Sequence, residues 1–127
     1  MKRIVATNSA PKAIGPYSQA NVIDCRQLVF VSGQVPIDPA VGKIVAQDVV
    51  GQTHQVLKNV SSILEAAGSS LEKVVRITVY LQSLEDFKAM NEIYTNYFKD
   101  NYPARSTFQV ARLPLDALIE IDAIAYV

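Results

Sequence analysis

Residues 118–127, LIEIDAIAYV, decide the fold because their side chains divide into two unlike faces. An apolar residue at every second position predicts a β-strand with one face in the core. The other face mixes apolar and charged side chains. The apolar face holds Ile119, Ile121, Ala123, Ala125 and Val127, and the mixed face holds Leu118, Glu120, Asp122, Ile124 and Tyr126.

Residues 74–81, VVRITVYL, predict a second strand of the same kind. Only two helices are predicted in the chain, and two helices can cover only one face of such a sheet. The half-apolar second face therefore indicates burial against another subunit. The apolar face holds Val75, Ile77, Val79 and Leu81, and the second face holds Val74, Arg76, Thr78 and Tyr80.

The two helices are predicted over 48–67 and from Ser83 onward. Asp48 is a suitable N-cap and Gly68 a suitable residue to end the first helix. Ser83 followed by Asp86 is a variant of the capping box. The face of the first helix that carries His54, the only histidine, is expected to be solvated. The second helix is expected to end at Asn101 and Pro103, with an apolar face of Phe87, Met90, Ile93, Tyr94, Tyr97 and Phe98.

Four further runs rich in β-branched residues predict strands at 3–6, 18–23, 27–32 and 104–110. The order of elements predicts an α+β fold, with a mixed sheet of about six strands and two helices on one face. Residues 1–127 are expected to form a single domain.

Composition excludes several classes of protein. Twelve basic and twelve acidic residues give no net charge, which argues against a nucleic-acid or anionic-membrane partner. One cysteine, Cys25, excludes an internal disulfide and a multi-thiolate metal site, and no histidine pair suggests a metal. The N-terminus lacks the apolar segment of a signal peptide, and no apolar run is long enough to span a bilayer. A cytoplasmic location is expected.

Arg105 is the first candidate for chemistry. In the strand at 104–110 it shares a face with Thr107 and Gln109, so it is expected to point away from the helix-covered face or to be paired there. A guanidinium can bind a carboxylate through two parallel hydrogen bonds. The alternative is a structural ion pair with Glu120, Asp122 or a neighbouring subunit.

Glu120 is the second candidate. Between Ile119 and Ile121, its carboxylate would resist ionisation and could hold or activate water. The alternative is that it pairs with Arg105 or Arg76.

Two further segments are candidates for the site. A turn is predicted in GPYSQA at 15–20, and it would direct the Tyr17 side chain. A strand is predicted to end at Ser32 and Gly33 in FVSGQ at 30–34, where backbone N–H groups can be left free.

Together these segments resemble the RidA (YjgF) family of reactive imine and enamine deaminases. The resemblance runs in order over almost the whole chain, and its most specific parts are PARS at 103–106 and the final strand. It is carried by GPYSQA at 15–20, FVSGQVPIDP at 30–39, Gln52-Thr53, Leu57-Lys58-Asn59, VYL at 79–81, MNEIYTNYF at 90–98, PARSTFQVARLP at 103–114 and IEIDAIAYV at 119–127.

The resemblance implies a chorismate-mutase-like fold assembled as a homotrimer, with the three sheets forming an inner barrel and ligand clefts between subunits. It implies hydrolysis of 2-imino and 2-enamino acids, such as 2-iminobutyrate and 2-aminoacrylate, to 2-keto acids and ammonia. No metal or organic cofactor is implied. Such substrates are released by pyridoxal-phosphate enzymes, for example threonine dehydratase.

The resemblance also implies roles for individual residues. Arg105 would bind the substrate carboxylate and Glu120 would position the attacking water. Thr107 stands where many members have cysteine, so a thiol contribution is absent, and it is either a substrate-binding residue or an ordinary strand residue. The expected cleft residues are Tyr17, Ser32 and Gly33, with Phe87 and Asn91 from the neighbouring subunit.

Two other functions stay open at this point. The same clefts could bind 2-keto acids or partner proteins without turnover, as a regulatory module. An RNA-acting role, associated with some relatives, is disfavoured by the balanced charge. Glu120 favours the enzyme, because a carboxylate receptor does not need a water-holding acid beside its ligand.

Overall fold

The computed structural model describes all residues from Met1 to Val127. It has eight strands and two α-helices, joined by short turns of 3₁₀ helix. In chain order these are β1 Lys2–Val5, β2 Ala20–Ile23, β3 Leu28–Gln34, β4 Ile37–Asp38, β5 Lys43–Ile44, α1 Val49–Ala66, β6 Val74–Leu81, α2 Phe87–Tyr97, β7 Ala104–Gln109 and β8 Ile119–Tyr126.

The central sheet has four strands in the order β3-β8-β6-β7. β7 runs parallel to β6, and the other neighbours are antiparallel. The predicted α+β class with two helices on a mixed sheet is confirmed. The predicted strands do not all join one sheet, however, because β1 and β2 form a separate ladder. Side chains tie that ladder to β6: Asn21 Nδ2 donates to the Val75 carbonyl at 2.8 Å and Lys2 Nζ to the Val74 carbonyl at 3.0 Å.

Helix α1 begins and ends where the sequence predicts. The Asp48 carboxylate accepts a hydrogen bond from the Gly51 amide at 2.8 Å, which satisfies an amide of the first turn. Gly68 adopts a φ of +79°, a left-handed conformation that stops the helix at little cost for glycine. The buried face of α1 packs on β3 and β8.

Helix α2 differs from the prediction at both ends. Ser83 does cap a turn, but residues 84–86 form a 3₁₀ turn and the α-helix covers only Phe87–Tyr97. His54 of α1 is half-buried rather than solvated, because α2 packs against α1 and brings the Tyr97 hydroxyl oxygen to 2.9 Å from His54 Nδ1.

The core lies between the two helices and one face of the central sheet. Val74 is fully buried there, which contradicts its predicted place on the second face beside Arg76. The register of β6 against β8 shifts between Val74 and Arg76, so the alternation of faces is broken at that point. The other core positions of the strands include Ile77, Val79, Leu81, Ile119, Ile121, Ala123 and Ala125.

The second face of the central sheet carries no helix. Phe30 of β3 is 71% exposed there and Phe108 of β7 is 44% exposed, with Tyr80 of β6 against Phe108 in an edge-to-face contact at 5.2 Å between ring centres. This face, called the open face below, is both apolar and uncovered within the chain. Neither helix is long and apolar enough to cross a membrane.

Candidate active site

Arg105 lies on the helix-covered side of the sheet. Its register partner is Ile77, whose side chain is buried beneath the helices, so the first alternative for Arg105, that it points away from them, is wrong. The side chain is held there by α2, because Nη1 donates a hydrogen bond to Asn91 Oδ1 at 2.7 Å.

Three aromatic rings surround the Arg105 guanidinium. Its central carbon lies 4.9 Å from the ring centre of Tyr94, 5.6 Å from that of Phe87 and 5.9 Å from that of Tyr17. Such contacts stabilise a partly desolvated cation by about 0.5–2 kcal/mol each. Burial lowers the pKa of Arg105, while the neighbouring Tyr94 and Tyr17 hydroxyls oppose that shift. An arginine keeps its charge under these conditions.

Tyr17 reaches Arg105 because its loop is anchored to the start of β7. Gly15 and Tyr17 close a tight turn with a 2.7 Å backbone hydrogen bond, and the Ser18 amide donates to the Pro103 carbonyl at 3.2 Å. The Gln19 side chain fixes the preceding segment by accepting from the Thr7 amide at 2.6 Å and donating to the Pro11 carbonyl at 2.7 Å. The turn predicted from Gly15 and Pro16 therefore does aim Tyr17 at the guanidinium.

No carboxylate of the chain pairs with Arg105. The single ion pair is between the exposed side chains of Arg112 and Asp116, 2.7 Å apart. Arg76 donates instead to the Ser106 hydroxyl at 2.8 Å. The alternatives in which Arg105 pairs with Glu120 or Asp122 of its own chain, or Glu120 with Arg76, are therefore wrong. Apart from its bond to Asn91, the Arg105 fork keeps its donors for an outside anion.

Glu120 lies on the opposite face from Arg105. Its register partner is Tyr80, on the open face, and its carboxylate lies directly over the backbone of Gly33 in β3. Partial burial raises the pKa of Glu120, and the nearby charge of Asp122 raises it further. Asp122 itself accepts a 2.7 Å hydrogen bond from the Tyr80 hydroxyl.

The predicted residues thus form two half-sites, one on each side of the sheet. The first, the arginine half-site, is centred on Arg105, and the second, the glutamate half-site, on Glu120. Phe87 and Asn91 were expected from a neighbouring subunit, but they contact Arg105 of their own chain because α2 packs over β7. The arginine half-site contains Tyr17, Phe87, Asn91 and Arg105, and the glutamate half-site contains Ser32, Gly33 and Glu120.

Thr107 follows Arg105 on the same side of β7, opposite Val79 of β6. Its hydroxyl oxygen is buried and has no hydrogen-bond partner in the chain, which is unusual for a strand threonine.

The Tyr94 hydroxyl is also buried and has no hydrogen-bond partner, and burial raises the pKa of Tyr94 well above its usual range. The spacing of apolar residues predicts only that Tyr94 lies on the apolar face of the helix. It does not reveal that the Tyr94 ring also packs against the Arg105 guanidinium.

Replacing Gly33 with alanine is expected to displace Glu120. A Cβ at position 33 would lie 2.9 Å from the Glu120 carboxyl carbon and closer still to one carboxylate oxygen, so the side chain must move. Any reaction that depends on Glu120 should fall at least tenfold, a scale typical of misplacing a reacting group, while binding of a carboxylate ligand at Arg105 is retained. Gly42→Ala is not a suitable control, because the φ of +73° at Gly42 would strain an alanine; Ser62→Ala, on the exposed face of α1 and outside both half-sites, is suitable. Full activity of the Gly33→Ala variant would show that the position of Glu120 does not matter.

No group of three or more histidine, cysteine, aspartate or glutamate side chains lies close enough together to hold a metal ion.

Comparison with known proteins finds relatives over nearly the whole chain. The sequence model of the family described as Endoribonuclease L-PSP matches residues 7–127, which include both half-sites. A human protein named 2-iminobutanoate/2-iminopropanoate deaminase is 46% identical over 125 residues, covering 98% of this chain and 90% of that protein. The chain belongs to the RidA family.

Other RidA-family relatives are similar along their whole length. A RutC family protein of Pyrococcus horikoshii is 54% identical over 126 residues, covering 99% of this chain and 98% of that one. Among solved structures, E. coli TdcF with bound serine has a TM-score of 0.75 and 44% identity, with 98% of each chain covered. The resemblance inferred from the motifs is therefore confirmed, and with it the fold.

Proposed function

We propose that this protein hydrolyses 2-imino and 2-enamino acids, such as 2-iminobutyrate and 2-aminoacrylate, to 2-keto acids and ammonia. The observation that carries the proposal is Arg105, a partly buried guanidinium held by Asn91 and three aromatic rings, with no carboxylate of its own chain. A cation built in this way suits a small carboxylate ligand. The human relative named as a deaminase and the serine bound to TdcF support a ligand of amino-acid type.

The proposed chemistry needs orientation and one proton carrier. Arg105 binds the substrate carboxylate, and Glu120 positions a water molecule at the adjacent carbon. A 2-enamino acid first takes a proton at its β-carbon and loses one from nitrogen, which gives the imine. The water oxygen then bonds to the imine carbon and loses a proton, while the C=N electron pair takes a proton at nitrogen, giving a carbinolamine. The C–N bond then breaks, ammonia leaves and the hydroxyl proton is released. Glu120 carries these protons and ends in its starting state.

A single chain keeps the two half-sites apart, so the proposed site forms between copies. β7, which carries Arg105, and β3, which lies beneath Glu120, are the two edges of the central sheet. A ring of subunits that joins these edges would bring Arg105 of one copy toward Glu120 of the next and cover the open face. Tyr17, Ser32, Gly33, Phe87, Asn91 and Thr107 would line the shared cleft.

The assembly is expected to be a homotrimer. Sedimentation equilibrium at micromolar concentration should return about 42 kDa, three times the 13.9 kDa of the chain. The replacement Phe30→Glu, on the exposed ring of the open face, should lower that mass because it puts a charge into the apolar contact. A clean monomer in the wild type would contradict both the trimer and the shared cleft.

A second candidate is a receptor for 2-keto acids that acts without turnover. The completeness of the arginine half-site within one chain favours it, since binding a carboxylate does not need Glu120. Calorimetry with 2-ketobutyrate, and hydrolysis of enzymatically generated 2-iminobutyrate, should be measured on one sample. Binding together with hydrolysis supports the deaminase, and binding alone supports the receptor.

RNA cleavage, which the description of the family model names, has less support in this chain. Its basic and acidic residues balance, whereas a nucleic-acid surface needs a basic excess. The proposed role is cytoplasmic, without cofactor, nucleic acid or membrane, and downstream of pyridoxal-phosphate enzymes that release the imine.

A further inference from the structure

The open face carries an acidic cluster that the proposed reaction only partly uses. Glu120 and Asp122 alternate along β8 and project to this face together. Tyr80 of β6 lies beside both, because it is the register partner of Glu120 and donates its hydroxyl hydrogen to Asp122 Oδ2 at 2.7 Å. Two carboxylates and a phenol therefore form one group.

The two carboxylates differ in their surroundings. Asp122 accepts a hydrogen bond from the Tyr80 hydroxyl, which holds its carboxylate in place. The same hydrogen bond raises the pKa of Tyr80, as expected for a phenol that donates to a negative charge. Glu120 lies over Gly33, and its pKa is raised by burial and by Asp122. A negative charge beside a carboxyl group favours its protonated form, so the position of Asp122 matters for Glu120.

We infer that Tyr80 and Asp122 are positioning residues for Glu120. The Tyr80 hydrogen bond holds the Asp122 carboxylate on the open face beside Glu120, where its negative charge favours the protonated form of Glu120 that gives a proton to the substrate nitrogen. This inference rests on the proposed hydrolysis. In the reaction, protonated Glu120 gives its proton to nitrogen as water adds, and recovers one from the added water. It repeats the exchange as the C–N bond breaks, so that ammonia leaves and Glu120 ends protonated.

Other charges near Glu120 leave the direction of this effect unchanged. On β6, Arg76 is engaged with the Ser106 hydroxyl of β7. β3, on the other side of β8, has no charged residue. In the proposed assembly Arg105 of a second copy approaches Glu120, and its positive charge favours loss of the proton. Removing Asp122 lowers the pKa of Glu120 whether or not that arginine is present, because it removes one negative neighbour.

The test is a carboxyl ¹³C NMR titration of the assembled protein and of its Asp122→Asn variant. The Glu120 midpoint is expected to fall by about 0.5–1 pH unit in the variant. Tyr126→Phe is the matched control: it removes a hydroxyl from the same face of β8, one that bonds to no carboxylate, and should leave the midpoint in place. An unchanged midpoint in Asp122→Asn would overturn the inference.

The Tyr80→Phe variant is a second test of the inference, and it also applies if Asp122→Asn does not fold. Without its donor, the Asp122 carboxylate is no longer held beside Glu120, and the Glu120 midpoint should fall, by less than in Asp122→Asn. An unchanged Glu120 midpoint would contradict the role of Tyr80. In activity, the high-pH fall of kcat should move to lower pH in Asp122→Asn. Because the titration needs no turnover, failure of the proposed hydrolysis would not hide the result.

Discussion

Replacing Arg105 with lysine is expected to lower kcat/KM for imine hydrolysis by about 30- to 1000-fold, and alanine should be at least as severe. Lysine keeps the charge but lacks the planar fork that can bind both oxygens of a carboxylate. It also loses the geometry that places Nη1 on Asn91 Oδ1 and the guanidinium against the Tyr94 ring. Steady-state rates with enzymatically generated 2-iminobutyrate, and keto-acid affinity by calorimetry, measure the loss.

Arg112→Lys is the matched control for this prediction. Arg112 lies on the same stretch of chain but forms an exposed ion pair with Asp116, so its replacement should change neither activity nor assembly. A folded Arg105→Lys assembly that has lost both binding and hydrolysis supports the site. If the Arg105 variant is instead destabilised and its folded fraction keeps full activity, Arg105 is structural and the assignment is wrong.

Replacing Glu120 with glutamine is expected to reduce turnover by about 100-fold while keto-acid binding persists. Glutamine keeps the size and hydrogen bonding of glutamate but cannot carry a proton. Carboxylate binding belongs to Arg105, on the other side of the sheet in each chain, and should be unaffected. Single-turnover kinetics and calorimetry on the same preparation separate the two effects.

Glu65→Gln supplies the comparison, since Glu65 is an exposed residue of α1 whose side chain hydrogen-bonds only to Ser61. It should behave as the wild type. Unchanged turnover in Glu120→Gln would show that Glu120 is a structural residue. Equal losses of binding and turnover would mean that Glu120 shapes the cleft rather than moving protons.

Local patterns were sufficient for much of the fold. The last strand and the first helix were predicted within one or two residues, because a two-residue period or a capped 3.6-residue period leaves little choice of structure. The uncovered second face was predicted as well, because its mixture of apolar and charged side chains suits neither a buried core nor a fully solvated surface. The open face around Phe30 confirms that part of the argument.

What local patterns missed depends on pairing between distant strands. The alternation of side chains along a strand places Arg105 and Ser106 on opposite faces, but it does not show which of the two faces lies under the helices. That is decided by the parallel register of β7 on β6, which sets Arg105 beside buried Ile77. The register shift next to Val74 is likewise a property of two strands together. The separation of Arg105 and Glu120 by the sheet follows from the same register.

The measurement that bears most directly on the deaminase proposal uses a threonine dehydratase or cystathionine lyase reaction as the source of imine, with semicarbazide present as a trap. Semicarbazide forms the same semicarbazone from the imine, with release of ammonia, and from the keto acid, with release of water, but it reacts faster with the imine. The initial rate of semicarbazone formation therefore reports the imine, and adding the purified protein should lower that rate in proportion to its concentration, whereas the Arg105→Lys variant should not. The same initial rate with and without the wild-type protein would contradict the account.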